Sequence, residues 1–384
     1  MEPVVTVVCT GGGTGGHIYP GLAVADAFRA RARDAGVAVR IVWIGAAVGM
    51  DRAIVEKNST AAGSLGADIF YGIPAGKLRR YLSFKNVTDI FRIAAGFFAS
   101  FFLLKKLKPA VLFSKGGFVS VPPCAAARVL KIPVYTHECD LTPGLATRLN
   151  SRSAARILVS YGETVPLLPR GVRDRALVTG NPVRAVFHTA SATRGYAFLG
   201  ITRSDKPVLA VLGGSSGAQQ INTLIWEQLP WLTEHFFVVH QTGPHATSIP
   251  DRPGYSHHAF IHAELSDVIA ASDVVLSRAG ANSLWECATL GKPLVLVPLA
   301  GSGTRGDQID NARYFSDRGA AVVLAPGDVD GEHLRRSLTR LLDAAERARY
   351  GAAGAALVRG SAAADTIAGL LFDAAIHRQN EVAV

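Results

Sequence analysis

Residues 4–28 read VVTVVCTGGGTGGHIYPGLAVADAF, which is a β-branched run, a glycine-rich turn and a helical pattern in succession. Residues 206–225 (KPVLAVLGGSSGAQQINTLI) repeat this plan with a different sequence. Continuous Val/Ile/Leu runs alternate with helical patterns between and beyond them, as is typical of parallel strands covered on both faces. We therefore predict an α/β protein with two Rossmann-like, doubly wound parallel-sheet domains facing a cleft.

Ten short apolar runs are predicted as buried strands. They cover residues 4–9, 38–44, 110–113, 134–135, 156–159, 207–212, 236–240, 274–276, 294–297 and 321–324. The motif GNPVRAVF (residues 180–187) and the polar segment after it mark the boundary between the two halves. We expect one domain over residues 1–182 and a second over 183–361, with a last helix that packs on either of them.

Composition narrows the class of partner. The chain has 384 residues, of which 49% are hydrophobic and 18% charged, so a disordered protein is excluded. The net charge of +10 is uneven, since residues 1–185 carry +13 and the remainder −3. A basic first half indicates an anionic partner, and nucleic acid, a membrane surface and a phosphorylated substrate all stay open at this point.

The cysteines and apolar runs indicate a reducing compartment. Cys9, Cys124, Cys139 and Cys287 are widely spread, without a C-x-x-C pair or zinc spacing. The first residues lack the basic region and cleavage site of a secretory signal. The longest apolar run, residues 93–104, is too short for a bilayer span, which needs about 20 residues. We expect a cytosolic protein that touches a membrane without crossing it.

The first glycine loop, GGGTGGH, is predicted to bind phosphate. Gly11, Gly13 and Gly16 match G-x-G-x-x-G, but a dinucleotide site also needs an acid after the second strand, and none occurs before Asp51. No Gly-Lys-Ser/Thr follows, which excludes a triphosphate P-loop. Backbone N–H groups at the start of a helix, expected near Pro20, can hold a phosphate or pyrophosphate. A tight turn required for close packing is the alternative.

His17 lies where this loop meets the helix, and a base with a pKa near neutrality is useful there. An ordinary polar histidine is the alternative.

In the second half of the chain, the GGSSG loop offers N–H groups and the Ser215 hydroxyl to another phosphate.

A third anion site is predicted at SRAGANSLWE (residues 277–286), which opens a helix directly after a strand. Glu286 lies one to two turns in, where it can reach a ribose diol while a diphosphate occupies the helix end. Gln308 and Asn311 follow in AGSGTRGDQIDNA (residues 300–312), and their amides suit sugar hydroxyls. A surface charge for Glu286 and ordinary loop or cap roles for the amides are the alternatives.

No constellation demands a metal. His137-Glu138 lacks the second histidine of H-E-x-x-H, and Asp328-Val329-Asp330 resembles a D-x-D motif but is interpreted as a solvated turn. The histidines at 257, 258 and 262 have no cysteine or acid at ligand spacing.

A basic, apolar segment over residues 77–85 suits the headgroup layer of an anionic membrane. The residues expected at this surface are Leu78, Arg79, Arg80, Leu82, Phe84 and Lys85. The phenylalanines at 97, 98, 101 and 102 are expected to form the buried face of an ordinary helix. Nucleic acid is disfavoured, since no stacking platform or recognition helix accompanies the charge.

Seven motifs together resemble one enzyme family over residues 4–325. They are GGGTGGHIYPGLAVA, FSKGGFVSVP, HECDLTPGLA, GNPVR, GGSSGAQQIN, SRAGANSLWE and RGDQIDNA. The chain resembles the peripheral-membrane N-acetylglucosaminyltransferases that convert lipid I into lipid II in peptidoglycan synthesis. The resemblance implies the GT-B fold, a C-terminal helix (about residues 362–384) returning to the first domain, and no metal or other cofactor.

The resemblance also implies roles for individual residues. The acceptor pyrophosphate would meet Thr14, Gly15, Gly16, Glu138 and Asp140, with His17 as the catalytic base. UDP-GlcNAc would meet Arg184, Ser215, Ile261, Ala281, Asn282, Ser283, Leu284, Glu286, Gln308 and Asn311.

Three positions depart from the commoner family motifs. Cys139 and Asp140 stand where an amide pair is usual, Phe118 replaces a tyrosine, and Asp307 replaces histidine or glutamine. These departures put the roles of Asp140 and Asp307 in question more than the reaction.

The implied partners are UDP-GlcNAc, lipid I (undecaprenyl-pyrophosphate-linked MurNAc-pentapeptide), an anionic membrane surface and other cell-wall synthesis proteins, with no nucleic acid. The implied location is the cytoplasmic face of the cell membrane, as a peripheral protein. Three alternatives are another UDP-sugar enzyme such as a UDP-GlcNAc 2-epimerase, an NAD(P) oxidoreductase, and a catalytically silent lipid-binding module.

Overall fold

Two compact units make up the chain. One contains residues 1–184 together with 361–384, and the other contains residues 185–360. The computed structural model describes residues 4–60, 66–76, 84–202, 206–213, 218–247, 249–301, 306–359 and 362–383. Each unit is built on one parallel sheet, as the continuous apolar runs predict.

The first unit has a seven-stranded sheet in the order β3-β2-β1-β4-β5-β6-β7. Its strands are β1 (Val5–Thr10), β2 (Val39–Ala46), β3 (Ile69–Ile73), β4 (Val111–Ser114), β5 (Val134–Glu138), β6 (Arg156–Val159) and β7 (Ala176–Val178). Its helices are α1 (Gly15–Asp34), α2 (Asp51–Thr60), α3 (Phe84–Leu107), α4 (Val121–Val129), α5 (Leu145–Asn150) and α14 (Ala363–Ala383). Helices on both faces bury β1 completely, which explains its unbroken apolar sequence.

The second unit has a six-stranded sheet in the order β10-β9-β8-β11-β12-β13. Its strands are β8 (Val208–Leu212), β9 (Phe237–Gln241), β10 (Tyr255–His258), β11 (Val274–Ser277), β12 (Leu294–Leu296) and β13 (Ala321–Val323). Its helices are α6 (Ala185–His188), α7 (Ala192–Leu199), α8 (Gln219–His235), α9 (Leu265–Ala271), α10 (Ala281–Thr289), α11 (Asp307–Asp317), α12 (Gly331–Arg340) and α13 (Ala344–Val358).

The three strands that the sequence did not predict all lie at sheet edges. They are β3, β7 and β10, with the sequences IFYGI, ALV and YSHH. An edge strand is covered less fully than a central one, so it does not need a continuous apolar run. Continuous runs therefore identified the central strands and missed these edges.

The first helix begins earlier than predicted. We expected it to start near Pro20, but α1 starts at Gly15, and Pro20 lies inside the helix as a buried residue. Thr14, the residue before the helix, has an extended backbone (φ −153°, ψ 154°). The amides of Gly15 and Gly16 therefore belong to the first helical turn.

The last helix, α14, packs against α1 in the first unit. Ile367, Leu371 and Ala375 are buried in the core that α1 and β1 share. The rings of Phe28 and Phe372 lie 5.9 Å apart, and Arg378 donates a hydrogen bond to the Lys131 carbonyl.

One stretch, residues 344–380, is long and apolar enough to cross a membrane by length and composition alone. The structure divides it into α13 and α14. Because buried core helices of water-soluble proteins have the same composition, this stretch is weak support for a membrane span.

The prediction that four phenylalanines of α3 are buried is wrong for two of them. Phe97 and Phe101 pack on the core of the first unit, whereas Phe98 is 59% exposed and Phe102 is 65% exposed. A helix surrounded by aromatic residues cannot bury all of them against one sheet, because its faces diverge. Phe91, seven residues before Phe98, is also exposed.

Candidate functional site

Three loops of the first unit leave the same edge of its sheet. Thr10, the last residue of β1, is paired with Ile44 of β2 and Ser114 of β4. The Thr10 hydroxyl donates to the Ile44 carbonyl at 2.9 Å, and the Lys115 amide donates to the Thr10 carbonyl at 2.8 Å. Since the strands are parallel, the loops after them meet at the carboxyl edge, where ligands bind in sheets of this type.

A buried carboxylate holds the first glycine loop. Asp51, 1% exposed, accepts hydrogen bonds from the amides of Gly13 (2.9 Å) and Ala46 (2.8 Å). A Cβ atom on Gly12 would lie 1.9 Å from this carboxylate, so only glycine fits there. The first acid after β2 therefore binds the protein's own backbone, and the dinucleotide alternative loses the group that would have held a ribose.

The loop after β4 packs directly on this glycine loop. A Cβ atom on Gly13 would lie 2.4 Å from Cε1 of Phe118, and Gly13 has a φ of +83°. Phe118 is the residue that departs from the usual tyrosine, and its ring provides this contact. A Cβ on Gly117 would lie 3.2 Å from Nδ1 of His17, so the two glycine loops approach each other through backbone.

His17 lies in the first turn of α1, half-buried. Its Nδ1 atom is 3.0 Å from the Thr14 hydroxyl, and its backbone N–H donates to the Thr14 carbonyl at 3.1 Å. The tautomer in which Nδ1–H donates to Thr14 leaves the lone pair on Nε2, where it can take a proton. Thr14 and the first-turn amides of Gly15 and Gly16 lie beside this imidazole, at the kind of helix end that can bind an anion.

Arg184, the last residue of the first unit, is close to this helix end. Its guanidinium lies over the ring of Tyr19, with 5.0 Å between Cζ and the ring centroid. A Cβ on Gly15 would touch the same ring at 3.1 Å. This cation–π contact fixes a positive charge beside the first turn of α1.

The Glu138 carboxylate binds groups of its own loop. Its two oxygens accept hydrogen bonds from the Asp140 amide (3.1 Å), the Gly144 amide (2.8 Å) and the Thr147 hydroxyl (2.6 Å). It is 6% exposed. The buried carboxylate thus organises its own loop, and the contact of Glu138 with the acceptor pyrophosphate stays a prediction.

In the second unit, α10 begins after Gly280 at the carboxyl end of β11. Asn282, Ser283 and Glu286 are half-buried on its first two turns. The side chains of Ala281 and Leu284 are buried in the core, so these two residues can offer a ligand only their backbone.

The amides of α11 support the same region. Gln308 accepts a hydrogen bond from the Leu299 amide at 2.9 Å, while Asn311 is fully buried and donates to the Ala279 carbonyl at 3.2 Å. Asn311 holds the loop before α10 through this bond, and its contact with a sugar stays a prediction. Asp307 is in the first turn of α11, where its negative charge interacts favourably with the positive end of the helix dipole.

Arg278 connects this loop to its neighbours. It donates from Nη1 to Gln220 at the start of α8 and to the Val297 carbonyl after β12. A pocket of 290 Å³ lies there, lined by Gln220, Pro298, Ala300, Pro326, Gly327 and Val329.

Ile261 is 1% exposed and packs with Val208, Val239 and Val268. The prediction that Ile261 flanks the uracil stays a prediction, and with its side chain buried it concerns the backbone of Ile261. Its backbone N–H donates to the Gln241 side chain at 3.0 Å, so Gln241, which no sequence pattern indicated, fixes the loop after β10.

A buried polar chain joins β9 and β10 to α8. Trp226 donates to the Tyr255 hydroxyl (3.0 Å), which lies 2.9 Å from Nδ1 of His240. Nε2 of His240 is 3.1 Å from the Asn222 side-chain oxygen, and the Asn222 amide donates to the Thr242 carbonyl at 2.8 Å. Burial, with a smaller contribution from the neighbouring His257, lowers the pKa of His240 to about 3, so its ring is neutral.

Two acidic clusters are poor metal sites. Asp330 caps α12 by accepting from the His333 amide at 2.9 Å, as a solvated turn would. Glu138, Cys139 and Asp140 bring three potential ligand atoms within 4.8 Å of one another in the described part of the chain. Burial raises the pKa of the Cys139 thiol to about 12, so it keeps its proton and is a poor ligand.

For several residues of the predicted site, the side chain or the whole residue lies outside the described part of the chain. Ser215 and residues 78–82 lie outside the described residues. Phe84 and Lys85 open α3, and only their backbone is described.

Comparisons with known proteins agree on one family. Residues 7–159 match the glycosyltransferase family 28 N-terminal domain, and residues 208–367 match its C-terminal domain. A Treponema denticola protein, UDP-N-acetylglucosamine–N-acetylmuramyl-(pentapeptide) pyrophosphoryl-undecaprenol N-acetylglucosamine transferase, is 53% identical over 336 residues, or 84% of each chain. A Bacillus cereus transferase of the same description is 39% identical over 87% of this chain and 91% of its own.

Among solved structures, Acinetobacter baumannii MurG aligns with a TM-score of 0.71, covering 97% of this chain and 100% of its own at 23% identity. At that identity the likeness concerns the fold. Together with the two family 28 domains it confirms the predicted GT-B architecture of two parallel-sheet domains.

Replacing Asp51 with alanine is expected to destabilise the first unit. The amides of Gly13 and Ala46 would lose a charged acceptor in a buried position, which costs about 3 kcal/mol. Urea unfolding followed by fluorescence measures this change. Asp174→Ala, at an exposed acid, is the matched control and should change the free energy of unfolding by less than about 0.5 kcal/mol. Equal effects from the two substitutions would contradict the role of Asp51.

His240 is expected to make stability depend on acid pH. Its pKa is about 3 in the folded protein, below the ordinary value of 6.5, so only the unfolded chain takes up this proton as the pH falls below 6.5. Between pH 6 and 4, wild type should lose about 1.4 kcal/mol of stability per pH unit more than His240→Gln. His245→Gln, at an exposed histidine, should keep the wild-type slope. Urea unfolding at several pH values tests this, and parallel slopes for wild type and His240→Gln would refute it.

Proposed function

The chain belongs to the family of UDP-N-acetylglucosamine–N-acetylmuramyl-(pentapeptide) pyrophosphoryl-undecaprenol N-acetylglucosamine transferases, and we propose that it catalyses the reaction that gives the family its name. It transfers GlcNAc from UDP-GlcNAc to the 4-hydroxyl of MurNAc in lipid I, forming lipid II for peptidoglycan synthesis. The observation that carries this proposal is the coincidence of His17 with the glycine-rich start of α1, in a chain 53% identical to such a transferase.

The two units have different substrates in this proposal. Residues 1–182, with the returning helix at 362–384, bind the lipid acceptor, and residues 183–361 bind UDP-GlcNAc. The start of α1 supports the first assignment because the amides of its first turn can hold a pyrophosphate. The start of α10 supports the second, since its first turn offers N–H groups to a diphosphate and Glu286 lies one turn further on.

The reaction is a single displacement with inversion. His17 takes the proton of the MurNAc 4-hydroxyl as that oxygen attacks the anomeric carbon of GlcNAc. The bond from the anomeric carbon to the UDP oxygen breaks, and the electron pair leaves with UDP. Arg184 and the helix N-termini stabilise the negative charge that grows on the diphosphate, which is work that a metal ion does in other transferases.

The exposure of each side chain decides whether it can contact UDP-GlcNAc. Asn282, Ser283 and Glu286 are half-buried and can reach a ligand. In this proposal the Glu286 carboxylate binds the ribose hydroxyls. Gln308 is half-buried as well and suits the sugar. Ala281 and Leu284 contribute backbone only, because their side chains are buried. Ile261 flanks the uracil through its backbone, and Asn311 lies under Gln308 on the sugar side of the site.

We further propose that α3 binds the cytoplasmic face of the membrane. Phe91, Phe98 and Phe102 form one exposed stripe, since their spacing of seven and four residues returns to the same side of a helix. The helix ends with exposed Lys105 and Lys106. Aromatic side chains beside lysines fit an anionic lipid surface, where each lysine contributes about 1 kcal/mol.

The direct test is transfer of labelled GlcNAc from UDP-GlcNAc to a short-chain lipid I analogue in the presence of EDTA. Labelled lipid II is the expected product. Absence of transfer by protein that still binds UDP-GlcNAc would assign the acceptor to another molecule, and loss of activity in EDTA alone would refute the metal-independent mechanism.

His17→Ala should lower kcat by about a hundredfold or more, since general base catalysis contributes that much. The dissociation constant for UDP-GlcNAc should stay within about twofold of wild type, because His17 lies on the acceptor unit. Steady-state kinetics and calorimetry check the two values. Weaker donor binding with normal turnover at saturation would contradict the assignment.

Serine at both Phe98 and Phe102 should weaken binding to anionic vesicles by about tenfold or more, because two large apolar side chains leave the interface. Val178→Ser, at an equally exposed apolar residue on an edge strand, is the control and should bind as wild type does. Vesicle sedimentation measures the partition coefficient. Unchanged binding by the double variant would exclude this face of α3.

A further inference from the structure

A short segment of the first unit crosses the carboxyl edge of its sheet. Residues 179–184, the crossing segment, follow β7 and end at Arg184, whose guanidinium lies over the ring of Tyr19 in α1. β7 and β1, the strand before α1, are four positions apart in a sheet whose strands lie about 4.8 Å from one another. Six residues leave little slack over this path, so the position of Arg184 depends on what holds the residues before it.

The crossing segment is packed against the strand ends that it passes. Residues 179–183 are buried, and only Arg184 is half-buried. The Thr179 amide donates to the carbonyl of Val159, the last residue of β6, at 3.0 Å. Gly180 then has a φ of +80°, a conformation that favours glycine and turns the chain across the edge.

His137, near the end of β5, makes the next contact. It is 1% exposed, and its Nε2 atom is 2.9 Å from the Gly180 carbonyl oxygen. A carbonyl oxygen only accepts, so Nε2 carries the proton and donates it to this bond. The Thr179 hydroxyl donates to the same carbonyl at 3.1 Å, but Thr179 belongs to the crossing segment itself. His137 is thus the donor that joins this carbonyl to β5.

The histidine ring supplies this donor at a cost. Burial, and then the positive charge of Lys115, lower the pKa of His137 well below its ordinary value, so the ring is neutral. Its other nitrogen, Nδ1, is buried and has no hydrogen-bond partner among the described residues. A buried acceptor without a partner is destabilising, and an apolar side chain would avoid it. The N–H group of Nε2 is what an apolar side chain could not provide.

We propose that His137 is a positioning residue, which holds the crossing segment through Gly180 and so fixes Arg184 beside the first turn of α1. The proposal rests on the proposed function for the role of Arg184, which is to stabilise the charge that grows on the UDP diphosphate. A charge lowers the barrier only when it is in place in advance, and a displacement of about 1 Å can reduce the rate about a hundredfold. His137 acts on the reaction through Arg184, without touching a substrate.

The first test compares His137→Leu, which loses the donor, with His137→Gln, whose terminal amide donates from nearly the same position. His137→Leu should lower kcat by about tenfold or more, while His137→Gln should stay within about threefold of wild type. Thr179→Val is the matched control, because it removes the other donor to the same carbonyl and leaves the bond to β5. Its kcat, measured like the others with both substrates at saturation, should stay within about twofold of wild type.

A double-mutant cycle with Arg184→Met separates positioning from a general loss of stability. Arg184→Met alone should lower kcat by about a hundredfold. Adding His137→Leu should lower it by less than about twofold more, since no guanidinium is then left to position. Losses that multiply in the double variant would overturn the proposal. So would a wild-type kcat in His137→Leu, or a Thr179→Val variant as impaired as His137→Leu.

Hydrogen exchange measured by mass spectrometry examines the crossing segment without any activity. In His137→Leu, peptides over residues 180–187 should exchange faster than in wild type and in Arg184→Met, with exchange in β1 unchanged. Unchanged exchange over residues 180–187 would overturn the proposal. If His137→Leu does not fold, His137→Asn replaces it, since its shorter amide does not reach Gly180.

The two proposals fail in different ways. Wild-type protein that transfers no GlcNAc would refute the proposed function, and hydrogen exchange would then decide alone whether His137 holds the crossing segment. Active wild-type protein with a normal kcat in His137→Leu would leave the proposed function standing and refute the role of His137.

Discussion

A buried carboxylate that binds backbone amides is the constraint on which the acceptor half of the site depends. Asp51 accepts hydrogen bonds from Gly13 in the glycine loop and from Ala46 at the end of β2. These two bonds fix the position of the loop relative to the sheet. The loop then provides the surface on which Phe118 packs and beside which His17 lies. The first turn of α1, with His17, continues directly from this loop.

The sequence predicts the framework of the fold because burial on both faces leaves a plain signature. Continuous apolar runs located the central strands, and the glycine loops located the carboxyl edges where strands give way to helices. The edge strand YSHH has no such run, since only one neighbour and part of one face cover it. The sequence of α3 did not show which of its phenylalanines are buried. Phe97 and Phe98 are adjacent and of the same residue type, yet Phe97 packs on the core and Phe98 is exposed.

The role of each residue in the candidate site was harder to predict from the sequence than its position in the fold. Glu138, Ile261 and Asn311 stand in or near the motifs that identify the family, and the side chains of all three are buried. A motif records that a residue type is required, whereas packing decides whether its side chain faces a ligand or supports the residue that does. Asp51 and Gln241 were missed because a single carboxylate or amide has no sequence pattern when its partners are backbone groups distant along the chain.

The return of α14 to the first unit has a consequence for the order of synthesis. The core around β1 and α1 is complete only when Ile367 and Leu371 are in place, and these residues leave the ribosome after the whole of the second unit. The second unit is thus an uninterrupted segment that can fold while translation continues, whereas the first, although it begins the chain, must wait with an open apolar groove beside α1. The half that emerges first is the half that matures last.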